Sequence, residues 1–324
     1  MRLDAPLVSV CIPAHNAQRW LANALESALA QTFTDFEVVV ADNSSTDGTA
    51  RIVRSFTDPR IRVDRLQKGI SAVANHNRAV RLSRGEFVKF LHVDDLLRPD
   101  CLEQMVELAL EDPSIALVFA PREVLVEPGF DPEWGERFGR PHEHFESLER
   151  VNDGRTLFRQ MLDAGFEENW IGEPSAVLLR RASLERAGLL NERLFQIADL
   201  ELWARLAFEY RVGFVDRVLA EYRHHEESTT VANARVGRDW LDKLWLFESL
   251  LQLPGLTRGE RARLQQLRRA ALLRASRSQI KRLAVGRWSP SLTSYLAARL
   301  RHQSPRRTGT PAKATEAKSA VRPH

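Results

Sequence analysis

Cysteine is nearly absent: Cys11 and Cys101 are the only two in 324 residues. Two thiols cannot build a disulfide framework or a four-thiolate zinc site, and Cys11 lies inside an apolar strand pattern as a small buried hydrophobe. A reducing cytoplasm is the expected compartment. No signal-peptide core occurs in Met1–Pro6. No apolar stretch approaches the ~20 residues of a membrane-spanning helix. Glycine-rich phosphate loops are missing too. The first candidate strand-to-helix turn, Ile12-Pro13-Ala14-His15-Asn16, has neither G-x-G-x-x-G nor G-x-x-x-x-G-K-[ST], which argues against a dinucleotide enzyme and a P-loop NTPase. Acidic residues run out near the C-terminus. Residues 255–324 carry 17 Lys and Arg against Glu260 and Glu316, a net +15, whereas the whole chain is +4, so residues 1–254 carry about −11. An acidic body with a basic C-terminal arm follows.

What remains is ample for a core. The apolar fraction of 44% supports one large domain or one domain with an appendage, and 28% charged is ordinary for a soluble chain. Over the first ~120 residues short apolar runs alternate with helical spacing. Strands are predicted at Leu7–Ile12, Phe36–Ala41, Ile61–Asp64, Phe87–Leu91 and Ile115–Ala120, and helices at Ala17–Gln31, Asp47–Phe56, Ser71–Leu82 and Pro99–Leu110. Gly85 is expected to end the third helix. This rhythm predicts a mostly parallel sheet flanked by helices, an α/β fold of Rossmann-like type. Residues 121–155 read as irregular. Beyond them, helices are expected at Thr156–Ala164, Ala182–Ala187 and Asp199–Tyr210, and strands at Ser175–Arg180, Val212–Val215 and Val218–Tyr222. Helical patterns then cover 236–252, 258–284 and 290–300. The expected domains are an α/β body over 1–230, a basic helical extension over 231–302 and a disordered tail over 303–324.

In parallel sheets ligands bind beyond the carboxyl ends of strands. His15-Asn16, Asp42 and Asp94-Asp95 all follow strand ends and should converge on one crevice. Two adjacent carboxylates repel each other unless a cation lies between them. Mg²⁺ or Mn²⁺ holding a diphosphate suits hard oxygen ligands of this kind, although Asp94-Asp95 also suits the cap of the following helix. Asp42 can accept from the N–H of a uracil-like base. The run Ser44–Asp47 suits a turn and a helix cap. In Gly69–Ala79 a flexible glycine precedes polar helical residues, among them Asn77, which fit either a ligand or an exposed face.

These segments, in this order, resemble the family 2 glycosyltransferases, which have the GT-A fold. Val8-Ser9-Val10-Cys11-Ile12-Pro13-Ala14-His15-Asn16 matches the family's opening strand and turn, and Asp42 through Thr49 its Asp-Ser-Thr-Asp-Gly-Thr loop. Gly85 through Asp95 matches the strand ending in its D-x-D metal motif, with His92 at the first acidic position. Trp170-Ile171-Gly172-Glu173-Pro174-Ser175 resembles an acceptor-side glycine loop. Ala198 through Arg205 resembles the helix that starts with the catalytic aspartate, with Ala198 where Glu is often found, and Tyr222 through Ser228 resembles a late Tyr-Arg-x-His-x-x-Ser motif. The likeness covers about residues 6–230.

The resemblance implies an inverting transfer from a nucleotide-diphosphate sugar, with UDP expected, to a carbohydrate or lipid-linked glycan. It implies that Pro13, His15, Asn16, Asp42, Asn77 and Asp94 line the nucleotide site. Asp94, Asp95 and His225 would hold Mn²⁺ or Mg²⁺, leaving open which aspartate is the direct ligand. Asp199 would be the general base, although it also suits a helix cap. Trp170, Gly172 and Glu173 would meet the acceptor. Trp170 fits core packing as well as a sugar platform, and Glu173 fits acceptor hydroxyls or a backbone amide. His92 and Ala198 also fit a non-catalytic sugar-nucleotide-binding scaffold, and a nucleotidyltransferase is a further alternative. The basic arm predicts either peripheral attachment to an anionic inner membrane face or packing on the acidic body or a second subunit. No motif for nucleic acid accompanies its charge.

Overall fold

The computed structural model describes residues 5–129, 133, 135, 139–226, 239–284 and 295. In chain order the elements begin β1 (Val8–Ala14), α1 (Leu21–Leu29), β2 (Phe36–Asp42), α2 (Thr49–Ser55), β3 (Ile61–Arg65), α3 (Ala72–Leu82) and β4 (Phe87–Phe90). There follow β5 (Leu96–Leu97), α4 (Cys101–Glu111), β6 (Ile115–Phe119), β7 (Arg122–Val126), β8 (Val151–Asn152), α5 (Gly154–Asp163), β9 (Val177–Arg180) and α6 (Arg181–Ala187). The chain continues through α7 (Ala198–Glu209), β10 (Arg211–Phe214), β11 (Ala220–His224), α8 (Asp239–Leu250) and α9 (Arg258–Ala284).

Period-two alternation places helices on both faces of the sheet. Val8, Val10 and Ile12 of β1 join one core with Leu21 and Leu25 of α1 and Leu102 and Val106 of α4. Cys11 points the other way, and its thiol donates to the Ala79 carbonyl of α3. Burial pushes that thiol up to about 12, so it is an inert packing group. The sheet has the order β3-β2-β1-β4-β9-β6-β10-β8. β1, β2, β3, β4, β6 and β10 point one way, and β9 and β8 run against them. The expected mostly parallel sheet is thus present, with β9 as a reversed strand inserted between β4 and β6.

The segment 121–155, read as irregular, contains β7, β8 and the start of α5. In β7, Glu123 breaks the apolar run, and a two-residue β8 is too short to show a period. β7 belongs to a second sheet of order β5-β11-β7. β11 pairs antiparallel with β5, Glu221 opposite Leu96, and parallel with β7. Because β5 begins directly after Asp95, this small sheet carries residues 223–225 to the end of β4.

Gly85 is the third residue beyond α3, whose C-cap is Ser83. A Cβ at Gly85 would lie 2.6 Å from the Ser9 nitrogen and 2.7 Å from the Val8 carbonyl carbon. Gly85→Ala is therefore expected to cost about 2 kcal/mol through backbone displacement in β1. A lowered urea midpoint with an unchanged m-value would show it.

Residues through Arg277 form one compact unit and Ser278–His324 a second. Within the first unit, Arg155 and Arg159 of α5 pair with Glu260. Arg268 pairs with Glu248 and Arg274 with Glu167. Arg268 and Arg274 of the basic arm thus meet acids of residues 1–254, and Glu260 of the arm meets arginines of α5. α9 has the predicted bounds 258–284. Apart from Tyr295, the expected helix over 290–300 lies outside the described residues, as does the tail over 303–324. Among the described residues no helix is long and apolar enough to cross a membrane.

Candidate active site

The first wall of the crevice joins the ends of β1 and β2. Asn16 and Ser44 both take left-handed backbone conformations, with φ of 48° and 60°, a strain that side-chain bonds hold in place. The Asn16 N–H donates to Ser45 Oγ at 3.0 Å, and Asn16 Oδ1 accepts from the Thr46 N–H at 2.9 Å. His15 Nδ1 lies 2.8 Å from the Asn43 carbonyl. Asp42, aligned with Ala14 across β1 and β2, is buried. Its Oδ1 accepts from the Ser45 N–H at 3.0 Å, and Arg65 lies 3.4 Å from Oδ2. Asp47 accepts from the backbone N–H groups of Gln18 and Thr49, so this run makes the expected turn and helix start. Pro13 sits within β1 and is half-buried.

Asn77 is placed apart from this wall. Its amide donates to the Leu190 carbonyl and to Glu192 Oε1, each at 2.9 Å, and accepts from the Leu190 N–H at 3.0 Å. Being 2% exposed, it clamps α3 to the turn after α6. Both amide hydrogens and the amide oxygen of Asn77 are thus engaged by the turn after α6. Asn43 does the crevice-side work instead, exchanging two 2.9 Å bonds with the Ile70 backbone.

Asp94 and Asp95 sit at the carboxyl end of β4 in different surroundings. Asp95 is 1% exposed. Its Oδ2 accepts from the Ser175 hydroxyl at 2.6 Å and its Oδ1 from the Arg223 N–H at 3.0 Å. Burial first, and the Asp94 charge second, push its carboxyl well above the usual range. Asp94 Oδ2 lies 2.9 Å from His225 Nε2. Burial opposes its charge as well, but the His225 bond and the field of His92 hold Asp94 below the usual range. The Ser175 hydroxyl also accepts the His92 N–H at 3.0 Å. Beneath it, the fully buried Lys89 donates to the Ser175 carbonyl at 2.6 Å. Burial lowers the Lys89 ammonium.

The opposite wall carries Asp199 in the first turn of α7. Asn169 Nδ2 donates to Asp199 Oδ2 at 2.9 Å and to the Gly172 carbonyl at 2.8 Å. Gly172 needs its φ of 105°, and its carbonyl also accepts from the buried Trp203 indole at 3.0 Å. Burial, and then the Glu173 charge, raise the Asp199 carboxyl to about 7. Arg122 of β7 pairs with Glu173, one of its bonds being 2.8 Å to Oε1. The Glu173 charge also acts on His92 and Asp95, so one acidic residue links both walls. Trp170 packs on His144 and edge-on against Phe145, with centroids at 5.5 and 5.2 Å. The N-terminal approach to α7 is held from outside the wall: Asp242 of α8 accepts from the Phe195 and Gln196 N–H groups at 3.0 and 2.6 Å.

Ser175, Asn169, Arg122 and His76 bond to these residues and were not singled out by the motifs. Ser175 ended a quoted motif, whereas Arg122 lay in the segment read as irregular. His76, in α3, has its Nε2 3.0 Å from His92 Nε2. Burial takes its pKa down to about 3, with His92 beside it as the second cause.

The donor set suits a divalent cation. Ligand atoms of His92, Asp94 and Asp95 lie within 4.8 Å of one another. His225 is 5% exposed, approaches Asp94 through Nε2, and has no partner for Nδ1 among the described residues. Two carboxylates with imidazoles at hand match Mn²⁺ or Mg²⁺ chemistry better than a thiolate metal's.

A mixed α/β sheet with an acidic crevice at its strand ends is the architecture of an α/β transferase. The family model described as Glycosyl transferase family 2 matches residues 9–186, and the chain belongs to that family. It is therefore a glycosyltransferase. An uncharacterized protein of Mycobacterium tuberculosis is 37% identical over 238 residues, 74% of this chain and 73% of that relative. The S. aureus TarS 1–349 structure in complex with UDP-GlcNAc superposes with a TM-score of 0.62 and 19% identity, over 82% of this chain and 71% of that one. A mannosyltransferase of Pyrobaculum calidifontis, in complex with GDP-Man and Mn²⁺, gives 0.58 and 19% over 94% and 82%. At these identities the two structures establish the common GT-A fold.

Proposed function

We propose that this enzyme moves a sugar from a nucleotide-diphosphate donor, a UDP-sugar in the first instance, to a hydroxyl of a carbohydrate or lipid-linked glycan, with inversion at the anomeric carbon. The observation that carries this reading is Asp199, a buried carboxylate raised to about 7, oriented by Asn169 and sharing the Glu173 charge with Asp95. A base acts best when its pKa lies near the working pH. Asp199 takes the proton of the acceptor hydroxyl as that oxygen attacks the anomeric carbon from the face opposite the leaving diphosphate. One base and one displacement give inversion, whereas hydrolysing glycosidases set two carboxylates about the bond. Asp42, His15, Asn16 and Pro13 line the nucleotide side, and Trp170, Gly172 and Glu173 the acceptor side.

Asp94 and His225 are the residues to hold Mn²⁺ or Mg²⁺, with Asp95 committed to Ser175 and Arg223 as the buttress behind them. A divalent cation there neutralises diphosphate charge and improves the leaving group. The donor reading draws support from the fold shared with a UDP-GlcNAc complex and a GDP-Man complex. A panel of UDP-, GDP-, dTDP- and CMP-sugars, each with and without Mn²⁺, tests it. Metal-stimulated binding or slow hydrolysis of one donor is expected. Nucleotide binding indifferent to metal would favour the non-catalytic scaffold.

The raised Asp199 pKa has a pH signature. Its base form is deprotonated, so kcat/KM should fall about tenfold per unit as pH drops below about 7 and level off above it. A flat profile between pH 5 and pH 8, measured as initial rates at low donor concentration, would exclude Asp199 as the titrating base.

A further inference from the structure

We propose that His92 coordinates the divalent cation through Nδ1, in a tautomer set by His76, and that this imidazole biases the site toward Mn²⁺ over Mg²⁺. This rests on the metal-dependent reading above and assigns a ligand at the position where the family's motif has its first acid.

The tautomer follows from a chain of contacts. His76 Nδ1 lies 2.8 Å from the Ala72 carbonyl, and a carbonyl only accepts, so the hydrogen is on His76 Nδ1. A neutral imidazole carries one such hydrogen, which leaves a lone pair on His76 Nε2. That atom is 3.0 Å from His92 Nε2, so His92 Nε2 is the donor. The remaining lone pair of His92 is then on Nδ1.

His92 Nδ1 is turned toward Asp95. It lies 3.8 Å from Asp95 Oδ2, beyond hydrogen-bond distance, within the group whose ligand atoms span 4.8 Å. A lone pair turned toward carboxylates is repulsive without a cation between them. His225, 95% removed from solvent, approaches Asp94 through Nε2. An outer group that fixes the tautomer and ring orientation of a histidine ligand is a recurrent device in metal sites. Here the outer group is itself held, edge-on to His92 with centroids 5.2 Å apart and against Phe90 at 5.4 Å. Imidazole nitrogen suits first-row transition metals, whereas Mg²⁺ prefers oxygen.

The test is direct metal binding by electron paramagnetic resonance on the full chain, with Mg²⁺ competition. In His92→Asp, the Mn²⁺ over Mg²⁺ preference is expected to narrow by about tenfold or more. His76→Phe keeps a ring but removes the acceptor, and Mn²⁺ affinity should drop ~10–100-fold. In His225→Gln, pulsed measurements should still show nitrogen modulation on Mn²⁺, and adding His92→Asp should abolish it. An unchanged metal preference in His92→Asp, or no nitrogen modulation in His225→Gln, overturns the proposal while leaving a metal site at Asp94 intact. A wild type that binds no Mn²⁺, alone or with UDP, removes the metal-dependent reading and the proposal together.

Discussion

Asp199→Asn should lower kcat by ~10²–10⁴-fold while leaving donor affinity within about twofold. That loss corresponds to about 3–5 kcal/mol of transition-state stabilisation at 1.36 kcal/mol per decade. The substitution keeps shape and an acceptor oxygen for the Asn169 amide, whose 2.9 Å bond orients the group. It removes the capacity to take a proton. Donor binding is spared because the nucleotide wall, built from Asn16, Asp42 and Asn43, shares no hydrogen bond with Asp199. Single-turnover transfer with saturating donor, alongside calorimetry of donor binding, separates the two quantities. Full activity in Asp199→Asn would transfer the base role to another residue. The acid limb of the pH profile should vanish in the same variant, which ties the rate loss to proton transfer rather than to misfolding.

Asp94→Ala should abolish metal-stimulated donor binding, a loss on the order of 100-fold or more. Asp94 bonds His225 across 131 residues of sequence, so its removal takes away a ligand and strands an imidazole that is 5% exposed. Donor titrations with and without Mn²⁺, on wild type and Asp94→Ala, read the effect as the difference between the two curves. An Asp94→Ala enzyme that retained metal-stimulated binding would place the cation elsewhere. The neighbouring Asp95 is a poor substitute for this test. Its oxygens hold the Ser175 hydroxyl and the Arg223 N–H, so its loss would leave two buried donors unpaired.

The first half of the fold was legible because its periods are strong. β1 through α3 lie within a few residues of the expected bounds, since fully buried strands read as apolar runs and amphipathic helices repeat at 3.6 residues. α9 follows its expected limits for the same reason. β7 was not legible, because Glu123 interrupts its apolar run and its partners β5 and β11 are two and five residues long. Such short strands are specified by pairing rather than by pattern. The candidate site was proposed from residue types at strand ends and from motifs. Asn77 shows the limit of that reading: a polar residue on a helix fits a ligand contact or a structural clamp equally well in sequence, and here its amide ties α3 to Leu190.

Local pattern thus determined the α/β class and the family, and singled out the acids Asp42, Asp94, Asp95 and Asp199, because hydrophobic period and short motifs are encoded over a few residues. Tertiary packing decided how those acids differ. Ser175 and Arg223 turn Asp95 into a buried buttress, His225 turns toward Asp94, Asn169 orients Asp199, and Asp242 braces the start of its helix. Each of these pairings except the Asn169 clamp spans more than 40 residues of chain. Burial and neighbouring charge, which exist only once those segments have met, give four chemically identical side chains four different surroundings.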